Sequence, residues 1–76
     1  MHTLKTTFDT LDLSNRAKRR KAAALAAALL VRIRAAEEAY MARIPENLQN
    51  SDAYSNADYS ISLLDDAIDV VASVYD

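Results

Sequence analysis

Apolar residues in the last third of the chain recur at alternating spacings of three and four positions. The stripe consists of Tyr54, Ala57, Ile61, Leu64, Ile68, Val71 and Tyr75. This spacing is typical of a helix that lies along another helix and buries one seam against it. A helix over about residues 51–75 is therefore predicted.

A stripe with the same spacing precedes it and predicts a first helix over about residues 14–44. Its seam is Ala22, Ala26, Leu29, Ile33, Ala36 and Tyr40. Ser14 is a suitable N-cap for this helix. Pro45 ends it, because proline lacks the amide donor and clashes with the preceding turn.

The link between the two helices, residues 45–50, is short and polar, so the helices should be antiparallel neighbours. Asn50 is expected to take the left-handed backbone conformation, since the chain has no glycine. Ser51 then caps the second helix. Ile44 and Leu48 are expected to close this end of the hairpin.

Both helices carry apolar residues beyond their seams. These candidate self-association residues are Leu25, Leu30, Leu63, Ala67, Val70 and Val74. One partner helix cannot cover both stripes of a helix, and an apolar patch of this width is typical of an interface. One solution is a homodimer of hairpins that forms a four-helix bundle. The other is that Phe8, Leu11 and Leu13 fold back over the second stripe.

The predicted fold class is thus all-α, an antiparallel two-helix hairpin of coiled-coil type that dimerises into a four-helix bundle. Residues 1–13 have no helical period and are predicted to form an N-terminal arm, either flexible or docked on the helices. The helical hairpin is assigned to residues 14–76.

Composition narrows the means of stabilising so small a domain. A chain of 76 residues builds a limited core, and such chains commonly add a disulfide, a metal or a partner subunit. The chain has no cysteine, and His2 is its only histidine. A disulfide and a site with His or Cys ligands are therefore excluded, and a partner subunit remains. The lack of cysteine fits a cytoplasmic protein, and no apolar run approaches the ~20 residues of a membrane span.

Charge is segregated along the chain, although the net charge is only −2. Residues 16–34 hold seven basic side chains and no acidic one, whereas residues 35–76 hold nine acidic and one basic. The basic cluster is Arg16, Lys18, Arg19, Arg20 and Lys21. Two interpretations remain open: contact with the phosphates of a nucleic acid or an anionic membrane, or neutralisation by the acidic end of the second helix.

The sequence predicts no catalytic, cofactor-binding or metal-binding residue. The serines have no histidine base in reach of the predicted fold, and a glycine-rich phosphate loop cannot form without glycine. Inward-facing Glu-x-x-His pairs of a di-metal bundle are missing. The chain is therefore predicted not to be an enzyme and to need no cofactor.

The turn carries a distinctive motif, because residues 40–59 read YMARIPENLQNSDAYSNADY. Its turn residues are Ile44, Pro45, Glu46, Asn47, Leu48, Gln49 and Ser51. This stretch resembles the Y-x3-IPENLQ-x-S segment of small uncharacterised proteins of bacteria and their phages, in which an acidic, heptad-patterned helix follows. The resemblance reaches roughly half the chain and implies a helical hairpin, but no activity. Either a buried Asn47 or Gln49 pins the loop, or the loop recognises a partner.

These observations predict a non-enzymatic protein–protein interaction or adaptor module that self-associates in the cytoplasm. An unidentified protein is a further candidate partner. The alternative is a nucleic-acid-associated accessory protein that uses the basic start of the first helix.

Overall fold

The computed structural model describes residues 11–76, and within them it is an antiparallel pair of α-helices. Helix α1 spans Arg16–Ala42, and helix α2 spans Asp52–Ser73. A short 3₁₀ turn over Glu46–Leu48 joins them. The prediction of an all-helical hairpin is confirmed for this part of the chain. Most of the predicted arm, including Phe8, lies outside the described residues.

Both helices begin at a side-chain cap. The Asn15 side chain accepts a hydrogen bond from the Lys18 backbone amide at 2.8 Å, so the cap of α1 is Asn15 and not Ser14. Ser14 belongs instead to the local turn before the helix, in which its own amide donates to the Asp12 carboxylate at 2.9 Å. The cap of α2 is Ser51, as predicted, and its hydroxyl accepts from the Tyr54 amide at 3.3 Å.

The chain reverses direction without a left-handed residue, so the prediction for Asn50 is wrong: no residue in the described range has a positive φ. Consecutive backbone hydrogen bonds make the turn instead. The Leu48 amide donates to the Pro45 carbonyl at 2.8 Å, and the Ser51 amide donates to the Leu48 carbonyl at 3.0 Å. Ile44 is half-buried at this end, whereas Leu48 is 48% exposed and does not close it.

Helix α2 turns its predicted seam towards α1. All seven seam residues are buried or half-buried. In the described part of the chain only two hydrophobic side chains are fully buried, Ala57 at 2% exposure and Ile61 at 8%. The hairpin therefore has very little core of its own.

Helix α1 turns a different face to α2 from the one predicted. Of the predicted seam only Ala22 is half-buried. The other seam residues are exposed, namely Ala26, Leu29, Ile33, Ala36 and Tyr40. A half-buried row lies one residue later, at Ala23, Ala27, Leu30, Arg34, Glu37 and Met41. One residue corresponds to about 100° around the helix axis, so the contact face is rotated by that amount.

The physical reason is that two rows of α1 share the same three-four spacing. Both rows begin with two alanines, so small side chains do not choose between them. Only the row that faces α2 carries Arg34, whose Nε donates to Asp65 Oδ1 of α2 at 2.5 Å. Spacing alone could not choose between two neighbouring rows with the same period.

The hairpin forms a single layer. Its thinnest dimension is 14 Å, little more than the ~10–12 Å diameter of one helix with its side chains. Domains are ordinarily built from at least two layers around a shared core. Neither described helix has the length and hydropathy that crossing a bilayer requires.

Candidate self-association face

One side of the layer is lined by large apolar side chains that nothing in the hairpin covers. We call these residues the apolar face: Leu29, Ile33 and Tyr40 of α1, with Leu63, Val70 and Val74 of α2. Their exposed fractions run from 43% for Ile33 to 67% for Val70. An exposed apolar surface that extends along both helices is typical of an interaction site.

These side chains lie on the same side because both helices are rotated in the same sense. On α1, each of them comes one residue before the half-buried row. The pairs are Leu29 and Leu30, Ile33 and Arg34, and Tyr40 and Met41. On α2, each comes one residue before a seam residue. The pairs are Leu63 and Leu64, Val70 and Val71, and Val74 and Tyr75. In an antiparallel pair of right-handed helices, a step back of one residue turns both helices towards one side of the layer.

The opposite side of the layer carries charged side chains and also a large exposed apolar residue, Val31, at 50% exposure. Arg34 bridges the two helices there, with hydrogen bonds to Asp65 at 2.5 Å and to Glu38 at 2.8 Å. The hydrogen bonds to Asp65 and then to Glu38 raise the pKa of Arg34 above its ordinary value. Asp65 comes one residue after the seam residue Leu64, so it lies on the side away from the apolar face. The layer is therefore amphipathic as a whole.

Three of the six residues predicted for self-association lie on this face, since Leu63, Val70 and Val74 are all at least half exposed. Leu25 is 58% exposed but lies on the outer edge of α1, two positions from both Ala23 and Ala27. Ala67 is half-buried between the apolar face and the seam. The assignment of Leu30 to self-association is corrected, because Leu30 is half-buried in the row that faces α2.

Three further residues of the face, Leu29, Ile33 and Tyr40, were assigned from the sequence to the seam with α2. Their helical spacing indicates that these residues pack against another helix, but it does not show which helix they contact.

The described part of the arm lies against the start of α1 rather than over α2. Leu11 is half-buried and lines a groove with Lys18, Ala22 and Leu25, and Leu13 is 50% exposed. The Lys18 ammonium pairs with the Asp12 carboxylate. That contact, with hydrogen bonds from Ser14, lowers the pKa of Asp12 below its ordinary value.

The basic cluster is exposed throughout and does not pair with the acidic end of α2. Arg20 donates to the Tyr75 backbone carbonyl at 3.1 Å, and the Arg16 guanidinium lies 5.0 Å from the centre of the Tyr75 ring. Arg19 donates to the Leu13 carbonyl at 3.0 Å. Within residues 11–76, the ion pair between Arg34 and Asp65 is the only one that joins the helices.

Of the four carboxylates expected to neutralise the basic end of α1, Asp65 pairs with Arg34, outside the basic cluster. In the described residues, Asp66, Asp69 and Asp76 form no ion pair with the cluster. Near the end of α2, carbonyls that lack helical partners carry the negative end of its dipole, so an arginine there can donate to a backbone carbonyl instead.

The turn motif is not held by its polar side chains. Asn47 and Gln49 are exposed, so neither is the buried pin that was considered from the sequence. The hydrogen bonds that close the turn join backbone atoms. Across residues 11–76, no group of three or more His, Cys, Asp or Glu side chains is arranged to hold a metal.

Comparison with protein-family models gave no match, and comparisons with curated proteins and with solved structures gave none either. The resemblance of the turn motif therefore stays a prediction from the sequence. What the chain does must be inferred from its surfaces.

Proposed function

We propose that this chain is a non-enzymatic protein–protein interaction module of the cytoplasm that self-associates through its apolar face into a four-helix bundle. The observation that carries the proposal is the row of six large apolar side chains on one side of the layer, each 43–67% exposed. A second copy supplies an identical face, and twofold symmetry makes such a face self-complementary.

The energetics support this choice. Full burial of one Leu, Val or Phe-sized side chain contributes about 1.5–3 kcal/mol. The isolated hairpin fully buries only Ala57 and Ile61 among the described hydrophobic residues and leaves the side chains of the apolar face exposed, so their burial is still available to drive association. Stacking two layers face to face gives the two-layer arrangement that domains ordinarily need.

The turn offers a surface for another protein partner. Glu46, Asn47 and Gln49 are exposed at the closed end of the hairpin, away from the middle of the apolar face. Loops positioned by a rigid scaffold commonly carry recognition. An adaptor role would use this end while the apolar face holds the second copy.

The test compares two variants that add the same charge to α2. Val70→Glu places a carboxylate in the apolar face and is expected to abolish the dimer, because an unpaired charge cannot be buried there. Ser62→Glu, an exposed position outside that face, should leave the dimer intact. Light scattering after size exclusion measures both against the 8.4 kDa monomer mass. A Val70→Glu variant that dimerises as well as Ser62→Glu would contradict the proposal.

A second candidate function is association with nucleic acid through the basic cluster. The observation in its favour is that no carboxylate of α2 pairs with these five exposed cations in the described residues. Phosphate contacts of this kind weaken steeply as salt rises.

Heparin and duplex-DNA retention at rising salt tests this candidate. Arg19→Gln/Lys21→Gln should elute at lower salt than the native chain. Ser55→Glu/Ser62→Glu changes the net charge by the same amount on α2 and should elute close to the native chain. Equal elution of the two double variants would reject a role for the cluster.

A further inference from the structure

The two outer edges of the layer carry opposite charges. Helical geometry places a residue that is two positions from a contact residue, and next to none, on the far side of its helix. On α1 the charged far-side residues are cationic, as in the pairs Lys21 and Ala23, Arg32 and Leu30, and Arg43 and Met41. On α2 they are anionic, as in the pairs Asp52 and Tyr54, and Asp66 and Leu64. All five charged side chains are exposed.

Two copies can stack their apolar faces in two symmetric ways. With the twofold axis parallel to the helices, α1 of each copy lies over α2 of the other. With the axis perpendicular to the helices and in the plane of the interface, α1 lies over α1 and α2 over α2. Only the first brings each cationic edge against an anionic edge. The second brings like-charged edges together, which opposes association.

The axial positions of the charges also fit the first arrangement. The Arg20 contact with the Tyr75 carbonyl sets the two helices in register. Counting in opposite directions from it, Arg43 is level with Asp52, and Arg32 is about three residues, or about 4.5 Å, from the level of Asp66. An axis parallel to the helices preserves these levels between copies, and an arginine side chain spans the remaining offset.

We infer that two copies of this chain pair with α1 of each packed across the apolar face against α2 of the other, which places both open ends at the same end of the bundle. This inference rests on the proposed self-association. It adds the choice of partner helix, made by charge complementarity along the edges. Arg32 and Arg43 of one copy face Asp66 and Asp52 of the second copy.

Cysteine cross-linking tests the arrangement cleanly, because the native chain has no cysteine. Leu29 and Ala67 lie nearly level on the same side of the layer but on different helices, so Leu29→Cys/Ala67→Cys should form a covalent dimer on mild oxidation. Neither single variant should do so, because identical positions lie diagonally across the bundle. A covalent dimer of the Leu29→Cys single variant would instead indicate α1 against α1 and overturn the inference.

Charge reversal gives an independent readout without new cysteines. Arg32→Glu and Asp66→Arg should each raise the dimer dissociation constant several-fold, and the two reversals combined should restore it. In the other arrangement Arg32→Glu relieves repulsion and tightens the dimer. A native chain that stays monomeric defeats the proposed function itself. A stable dimer without cross-linking of the double-cysteine variant or rescue by double reversal defeats only this inference.

Discussion

Both rows of α1 that could face α2 begin with two alanines, so a residue farther along the row separates them. Ala23 and Ala27 begin the half-buried row and let the two backbones approach. Farther along the same row, Arg34 turns a side chain with a polar tip towards α2 and hydrogen-bonds Asp65. The row predicted from the sequence is more apolar than this one, so hydrophobicity alone favoured the wrong side. A single cross-helix arginine in the row could not be recognised as a contact without knowing where Asp65 lies.

Enlarging one of these alanines tests the contact face. Ala27→Leu should lower the free energy of unfolding by about 1–3 kcal/mol, because extra methylene groups force the helices apart. Ala28→Leu makes the same change at the next position, which is exposed, and should stay within about 0.5 kcal/mol of the native value. Urea denaturation followed by circular dichroism measures both. The reverse order of effects would place the contact face elsewhere.

At the scale of the elements, the two helices, the serine cap of α2 and the seam of α2 were accessible from the sequence, whereas the cap of α1 and the backbone of the turn were not. Pro45 and Ser51 act directly on backbone hydrogen bonding, so their effects are local and can be predicted from the sequence. The turn was expected to need a left-handed residue at Asn50, but a 3₁₀ turn followed by a serine cap reverses the chain with negative φ throughout the described residues. Several turn geometries satisfy a link of this length, and composition did not separate them.

The start of α1 gives a test at this scale. Asn15→Ala should destabilise the hairpin by about 0.5–2 kcal/mol, since the Lys18 amide loses its side-chain acceptor. Ser14→Ala removes the hydroxyl of the neighbouring residue, whose side chain does not cap α1, and should have a much smaller effect. Thermal melts of the two variants at one protein concentration compare them. A larger loss for Ser14→Ala would mean that α1 begins one residue earlier.

For the molecule as a whole, the sequence indicated surplus apolar surface, and the structure gives that surface a position and an orientation. The surplus was assigned to two separate second stripes. In the hairpin, the rotation of α1 joins residues from both helices into the apolar face on one side of the layer. Which side of the layer becomes apolar depends on how both helices are rotated about their axes. It is therefore a property of the packed pair that neither stripe reveals alone.

The separation of basic and acidic residues along the chain also takes effect at the scale of the whole molecule. The cationic edge of α1 and the anionic edge of α2 lie on opposite margins of one hairpin, too far apart to neutralise each other there. Two stacked hairpins bring them together twice. The apolar face would supply the free energy of association, while the edges would choose among the ways of stacking, as complementary charges commonly do at interfaces.

Sedimentation equilibrium of the native chain tests the central claim most directly, because it measures the mass of the particle without any substitution. The apolar face predicts a particle of twice 8.4 kDa across the micromolar range, dissociating only on strong dilution. A helical particle that keeps a mass of 8.4 kDa at the highest concentration reached would contradict it.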